Sequence, residues 1–146
     1  MVGPEGGSSV GNALPTNQMV KSFVTDSAHE YPVFRVIGDV DFSNQAEFET
    51  ALRGVNAGAA SAVIVSFEEC TFFDSSIVGA LMQYWRAPER SWDVVLVTKP
   101  ENPANRVFEI VGIDRVYPIA HSLDEAVAQA QSLAATAREA TPPNQA

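Results

Sequence analysis

Asp74, Ser75 and Ser76 are consecutive polar residues at the end of an apolar run, where a buried strand is predicted to give way to a helix. A serine at a helix start usually caps the helix. The same position can hold a phosphate, because unpaired N–H groups and the positive end of the helix dipole meet there. A phosphate on serine adds a charge of about −1.5 to −2. The pattern therefore leaves two roles for Ser75, a helix cap and a phosphorylation switch.

A second acidic segment, residues 38–44 (GDVDFSN), contains Asp39 and Asp41. Together with Asp74, these carboxylates could bind Mg²⁺ if the fold brought them together. Aspartates in such positions more often cap turns and helix starts, and this is the interpretation that we favour. We therefore predict no metal site and no cofactor.

Nucleophilic catalysis by Ser75 would need a base within hydrogen-bonding reach. Nothing in the sequence places His29 or His121 near Ser75, and no Gly-x-Ser-x-Gly elbow is present. The glycine-rich loops that bind nucleotide phosphates are absent too. We expect a protein that is not an enzyme.

Composition narrows the class of partner. The 146 residues carry a net charge of −9, which argues against nucleic acid and favours a partner with a basic face. The sequence has one cysteine, Cys70, and two histidines, too few to predict a dedicated zinc site. No apolar run approaches the roughly 18 residues that span a bilayer. We expect no membrane insertion, no signal peptide and a cytoplasmic location.

Apolar, β-branched segments predict the strands. An edge strand is predicted at about residues 19–25 and a second strand at 32–38. Residues 61–67 and 92–98 are apolar at consecutive positions, which is typical of central strands buried on both faces. A short extended piece is predicted near 116–119.

Two helices are predicted between these strands. Asn44 is the predicted N-cap of the first, with Glu47 as its capping-box partner and Gly54 near its end. The second is predicted to start near Ser75 and to run to about Ala87.

Two further helices complete the pattern. Pro103 is predicted to open the third helix and Gly112 to stop it. Ser122 and Glu125 are predicted to form a capping box at the start of the fourth. The predicted buried side of the third helix is formed by Val107, Ile110 and Val111.

The order β-β-α-β-α-β-α-(β)-α predicts a single-domain α/β fold. We expect a mixed, mostly parallel sheet of about four or five strands with about four helices packed on it. The domain is predicted to span residues 19–138, with flexible tails at 1–17 and 139–146. Ligands and partners of such sheets meet the loops after strand C-termini. The loops that stand out are residues 38–44 and 72–76.

Four segments, residues 36–41 (VIGDVD), 62–67 (AVIVSF), 72–76 (FFDSS) and 107–113 (VFEIVGI), resemble the STAS domain. This module is shared by sulphate transporters and bacterial anti-sigma factor antagonists. The resemblance covers about residues 19–135 and implies the STAS fold. It departs from the common family pattern at Ile77, where the family usually has glycine, and at Asp39, where glutamate is common.

The resemblance also implies a function. Stand-alone members bind an anti-sigma factor and so release a sigma factor, which regulates transcription, as in stress responses. The anti-sigma factor is often a serine kinase of the histidine-kinase-like ATPase type, and a phosphatase resets the cycle. By position, the phosphorylated residue would be Ser75, with Ser76 as the second candidate. The implied partner-binding residues are Asp39, Asp41, Ser43, Asn44, Asp74, Ser75, Ser76, Ile77 and Val78.

Two other functions stay open at this point. One is a STAS subunit of another assembly, such as a lipid-transport complex at the inner membrane or a signalling scaffold, that is not phosphorylated. The other is a small-ligand sensor that holds an anion or nucleotide at the helix start, Asp74–Ser76.

Overall fold

The computed structural model describes residues 23–86, 92–115 and 117–140. Strands and helices alternate along this part of the chain in the predicted order. The elements are β1 (Phe23–Ala28), β2 (Tyr31–Val40), α1 (Gln45–Arg53), β3 (Ala62–Phe73), α2 (Ser76–Arg86), β4 (Asp93–Val97), α3 (Pro103–Val111), β5 (Ile119–Ala120) and α4 (Leu123–Ala140). Short 3-10 helices lie at Phe42–Asn44 and Ile113–Arg115.

The predicted tails fall largely outside the described residues. All of residues 1–17 and 141–146 do so, and α4 continues to Ala140, two residues into the segment assigned to the C-terminal tail. The tails and the domain limits stay predictions.

The strands form one sheet in the order β1-β2-β3-β4-β5. The β1–β2 pair is antiparallel, and each later strand runs parallel to its neighbour. This confirms the mixed, mostly parallel α/β sheet. Helices α1, α2 and α3 contribute to the core on one face of the sheet, and α4 packs on the other face.

Successive side chains of β3 point to opposite faces of the sheet and so contribute to both hydrophobic clusters. Val63, Val65 and Phe67 belong to the cluster under α1, α2 and α3, whereas Ala62 and Ile64 belong to the cluster under α4. All five are buried, which confirms a central strand covered on both sides. The strand is longer than predicted, because it continues to Phe73.

Two irregularities lengthen β3 relative to β2. Arg35 pairs with Ser66 but Ile37 pairs with Glu69, so β3 contains one extra residue between these pairs. Gly38 then pairs with Cys70, and Asp39 with Phe72, which leaves Thr71 as a second extra residue. Such bulges bend a strand and redirect its side chains. They set the orientation of the last residues of β3, next to the candidate site.

The predicted buried side of α3 is wrong at two positions. Ala104 and Phe108 are buried against the sheet, whereas Ile110 is 72% exposed and Val111 is 48% exposed. Val107 packs partly against the core as predicted. Each residue turns a helix by about 100°, so Ile110 lies about 200° from Phe108 and faces away from the core.

Candidate functional site

The two loops selected from the sequence meet at one edge of the sheet. Because β2 and β3 are parallel neighbours, their C-terminal ends lie side by side, and Val40 pairs with Phe73. The Asp74 N–H donates to the Val40 carbonyl (3.1 Å). The Thr71 hydroxyl donates to the Asp39 carboxylate (2.6 Å). These two hydrogen bonds join the end of β2 and the acidic loop to the last residues of β3 and the turn before α2.

The acidic loop is a capped 3-10 turn. The Asp41 carboxylate accepts from the backbone N–H (2.8 Å) and the hydroxyl (2.6 Å) of Ser43. The Asn44 side-chain oxygen Oδ1 accepts from the Asp41 N–H (2.8 Å), and the side-chain nitrogen Nδ2 donates to the Asp39 carbonyl (3.0 Å). Asp41 and Asn44 thus form the capping box of the Phe42–Asn44 helix.

This arrangement corrects the predicted start of α1. Asn44 does precede the helix, but its side chain makes no capping bond there, and the predicted box with Glu47 is not formed. The Asn44 side chain is used by Asp41 and Asp39 upstream, so it cannot also reach the helix N–H groups. Asn44 was correctly predicted to take part in a capping box. The box belongs to the Phe42–Asn44 turn and not to α1.

The pKa of Asp41 lies below its ordinary value. The side-chain hydrogen bond from Ser43 is the largest cause, and backbone hydrogen bonds from Ser43 and Asn44 act in the same direction. All of these donors stabilise the ionised carboxylate. The loop therefore presents a fixed negative charge to solvent.

The start of α2 is capped by Asp74. Its carboxylate accepts from the Ser76 N–H (3.0 Å), and its carbonyl accepts from the Ile77 N–H (3.0 Å). This is a capping geometry, with Ser75 in the turn immediately before the first residue of α2. Ser75 is exposed, and its side chain makes no hydrogen bond to the residues that the structure describes. Capping therefore does not explain a serine at this position.

The neighbouring serine has a different environment. The Ser76 hydroxyl oxygen is buried and has no hydrogen-bond partner among the described residues. A kinase could reach it only after the side chain had rotated outward. Of the two candidate phosphorylation residues, Ser75 is the accessible one.

Ile77 and Val78, the last two predicted partner-binding residues, turn towards the protein. Ile77 is completely buried in the core under α2, and Val78 packs partly against the same cluster. A glycine at 77 would leave a cavity there, so the departure from the family pattern has a packing role. Any contribution of Ile77 to a partner surface would be indirect, through the position of the helix start.

Two exposed aromatic residues beside the site were not predicted from the sequence. Phe42 is 77% exposed in the acidic loop, and Phe72 is 49% exposed next to Asp39 in the sheet register. Phe42 could have been noticed, because it stands alone among polar residues. Phe72 could not, because only the bulge at Thr71 turns it out of an apolar run.

The carboxylates of Asp41 and Asp74 each accept a hydrogen bond from their own loop. The Asp39 carboxylate accepts one from Thr71 of β3. Across the described residues, no group of three or more His, Cys, Asp or Glu side chains is arranged to hold a metal ion. The hydrogen bonds of Asp41 and Asp74 support the capping interpretation of these two acids.

Of the helices in the described part of the chain, none is both long and apolar enough to cross a bilayer.

Comparison with known proteins gives one family. A family model described as "Mlab, STAS domain" matches residues 23–123, which include every element from β1 to the first residue of α4. No curated protein matches the chain.

Solved structures share the fold at low identity. An anti-sigma factor antagonist from Mycobacterium paratuberculosis is similar with a TM-score of 0.67 and 18% identity, over 75% of this chain and 92% of that one. A putative anti-sigma factor antagonist from Thermotoga maritima has a TM-score of 0.64 and 14% identity, over 75% and 94%. The unphosphorylated anti-sigma factor antagonist SpoIIAA has a TM-score of 0.51 and 24% identity, over 75% and 96%. With the fold, the joined loops and the family match in agreement, the chain belongs to the STAS domain family.

Proposed function

We propose that the protein is an anti-sigma factor antagonist, a cytoplasmic binding protein without enzymatic activity. Its partner would be an anti-sigma factor that is also a serine kinase of the histidine-kinase-like ATPase type. The observation that carries the proposal is Ser75, an exposed hydroxyl without a structural role at the start of α2. The solved structures with the same fold are described as anti-sigma factor antagonists, which supports the same function here.

The surface around Ser75 has the composition of a binding site. Phe42 and Phe72 supply exposed aromatic area, and aromatic residues commonly dominate interface energies. Asp39 and Asp41 lie beside them as carboxylates. This combination fits a partner with an apolar pocket bordered by basic side chains.

Phosphorylation of Ser75 would act on this surface and not on the fold. The kinase would transfer the γ-phosphoryl group of ATP to the Ser75 oxygen, release ADP and remove the hydroxyl proton. A phosphate on the residue immediately before α2 is favoured by the helix dipole, so α2 stays folded. The added charge of about −1.5 to −2 is costly to bury in a complex and changes the charge balance of the interface. The phosphorylated form would bind more weakly until a phosphatase removed the group.

The first test is intact-mass analysis of the protein purified from its own cells, with mapping of any phosphate. Phosphate on Ser75 is the expected result. Its absence under every growth condition tried, together with no transfer from ATP by the host's anti-sigma kinases, would remove the switch from the proposal.

Binding to such a kinase should then be measured for Ser75→Ala and Ser75→Asp. The alanine variant should bind as the unmodified protein does, and the aspartate variant about tenfold more weakly, or about 1.4 kcal/mol. Ser27→Ala and Ser27→Asp are matched controls, because Ser27 is exposed and pairs with Pro32 at the opposite end of β2. Equal affinities for the two Ser75 variants would contradict the switch.

A second candidate is a subunit of a larger assembly that is never phosphorylated, such as a transport complex. The family match is compatible with it, because the match identifies the STAS domain without fixing its partner. This candidate predicts a stable stoichiometric complex, recovered from cells, whose affinity does not change with ATP. Phe42→Ala should weaken binding in both cases, whereas Ser75→Asp should do so only for the antagonist.

A further inference from the structure

A cleft of about 340 Å³ lies between α3, the Ile113–Arg115 helix, β5 and α4. It shares no residue with the Ser75 site. Its volume is at the lower end of the range for small-molecule sites, about 300–1,000 Å³. The polar side chains that line it include Asn105, Glu109, Asp114, His121 and Gln129.

Two acids of this cleft, Glu109 and Asp114, form no ion pair within the described residues. Glu109 lies in the last turn of α3, which contains no basic residue. A carboxylate there opposes the negative end of the helix dipole. Asp114 follows in the next helix, and neither acid has an ion-pair partner among the described residues. Local conflicts of this kind are expected at functional sites, where a ligand supplies the missing charge.

The acidic wall is held in place by a buried amide. Asn105 is only 8% exposed, and its Nδ2 donates to the Glu109 carboxylate (3.3 Å) and towards the Pro100 carbonyl (3.5 Å). The Asn105 amide therefore orients the carboxylate and leaves its charge in place. A pre-positioned acid lowers the entropic cost of binding a cation.

The opposite side of the cleft is also rich in acceptors. His121 Nδ1 lies 2.6 Å from the Thr98 carbonyl oxygen, which can only accept, so Nδ1 carries the hydrogen. In the neutral ring, Nε2 is then an acceptor. The Gln129 side-chain oxygen is buried without a hydrogen-bond donor among the described residues, and rotation of this half-buried side chain would present it to a ligand in the cleft. A ligand rich in N–H donors would satisfy such a site.

We propose that this cleft binds a small organic cation, an ammonium or guanidinium group on a short aliphatic chain. A bare metal ion does not fit, because the described side chains offer no group of three or more metal-ligating residues. A primary amine or a guanidinium matches both the two acids and the surrounding acceptors. The apolar part of the ligand would lie against Pro118 and Ile119, which also line the cleft.

The test is a titration of the ¹⁵N-labelled full chain with agmatine and with putrescine, followed by amide chemical shifts. Saturable shifts are expected at Ile119, His121 and Gln129. 1,4-Butanediol is a neutral analogue of putrescine and should cause none. No saturable shift with either cation, or the same shifts with the diol, would overturn the proposal.

Two variants test whether binding of the cation depends on the two acids of the cleft. Glu109→Gln and Asp114→Asn should each weaken binding about tenfold by removing one charge. Glu101→Gln is the matched control, because Glu101 is exposed and does not line the cleft. Equal weakening by Glu101→Gln would show a non-specific charge effect and refute the site. Glutamine keeps an oxygen acceptor for Asn105, and if Glu109→Gln still fails to fold, Asp114→Asn decides the outcome.

Discussion

The side chain that caps α2 can be identified by a pair of substitutions. The Asp74 carboxylate accepts the Ser76 N–H at 3.0 Å, whereas the neighbouring Ser75 hydroxyl is exposed and makes no hydrogen bond to the described residues. Replacement of an N-cap aspartate by alanine costs about 1 kcal/mol. Loss of its charge at the positive end of the helix dipole adds about 0.3–1 kcal/mol. We therefore expect Asp74→Ala to lower the free energy of unfolding by about 1–2 kcal/mol.

Ser75→Ala should change this free energy by less than about 0.5 kcal/mol, because it removes no hydrogen bond and no buried surface. The assay is urea unfolding at neutral pH, supported by thermal melts in which 1 kcal/mol shifts Tm by about 4 °C for a domain of this size. Asp74→Asn is the control that keeps the capping oxygen and loses the charge, so its cost should be the smaller part of the Asp74→Ala effect. A loss for Ser75→Ala as large as that for Asp74→Ala would show that Ser75 is the cap. It would also remove the main argument for a switch.

Three further results are expected. Phe108→Ala should lower the free energy of unfolding by about 3–5 kcal/mol in urea melts, because its ring is fully buried against two other phenylalanines; a loss below 1 kcal/mol would contradict this packing. Gly112→Ala should lower the free energy of unfolding by about 1–2 kcal/mol, because Gly112 follows α3 in the left-handed conformation at φ +78°. The control Gly54→Ala should lower it by less than about 0.5 kcal/mol, because Gly54 follows α1 in the right-handed conformation. Equal losses for the two variants would refute the conformational argument. Burial raises the pKa of the Cys70 thiol from 9.0 to about 11. The thiol therefore ionises first in the unfolded chain, and the free energy of unfolding should fall between those two pH values. Cys70→Ala should lose this part of the pH dependence, and an unchanged profile in the variant would show that the thiol does not cause it.

Most of the fold could be predicted because its signals are local. The β-branched run at 62–67 predicted a strand buried on both faces, and both core clusters include its residues. Pro103 and Gly112 predicted the limits of α3, since proline is tolerated in the first turn and glycine accepts the left-handed conformation. The buried side of α3 was not predictable in the same way. Apolar residues occupy several sides of this helix, and the sheet beneath it selects Ala104 and Phe108.

The candidate site was predicted in its residue types and only partly in its contacts. The proximity of the acidic loop to Ser75 followed from parallel strands, and hydrogen bonds between the loops confirm it. Capping by Asp74 was the favoured interpretation, but whether Ser75 also caps the helix stayed open. The role of Asn44 did not follow, because a short polar side chain can cap either the turn before it or the helix after it. The choice depends on which backbone groups the folded loop leaves unpaired.

The sequence alone determined the alternation of strands and helices, the acidic charge, and the presence of an aspartate and two serines at a helix start. These depend on the side-chain period and on residues a few positions apart. Only the tertiary structure decided that Ser75 is exposed, that Ser76 and Ile77 turn inward, and that Phe72 faces solvent. It also brought Glu109, Asp114 and His121 around one cleft. The physical reason is that strand register, bulges and helix rotation are selected by packing between residues far apart in the chain, which no local pattern encodes.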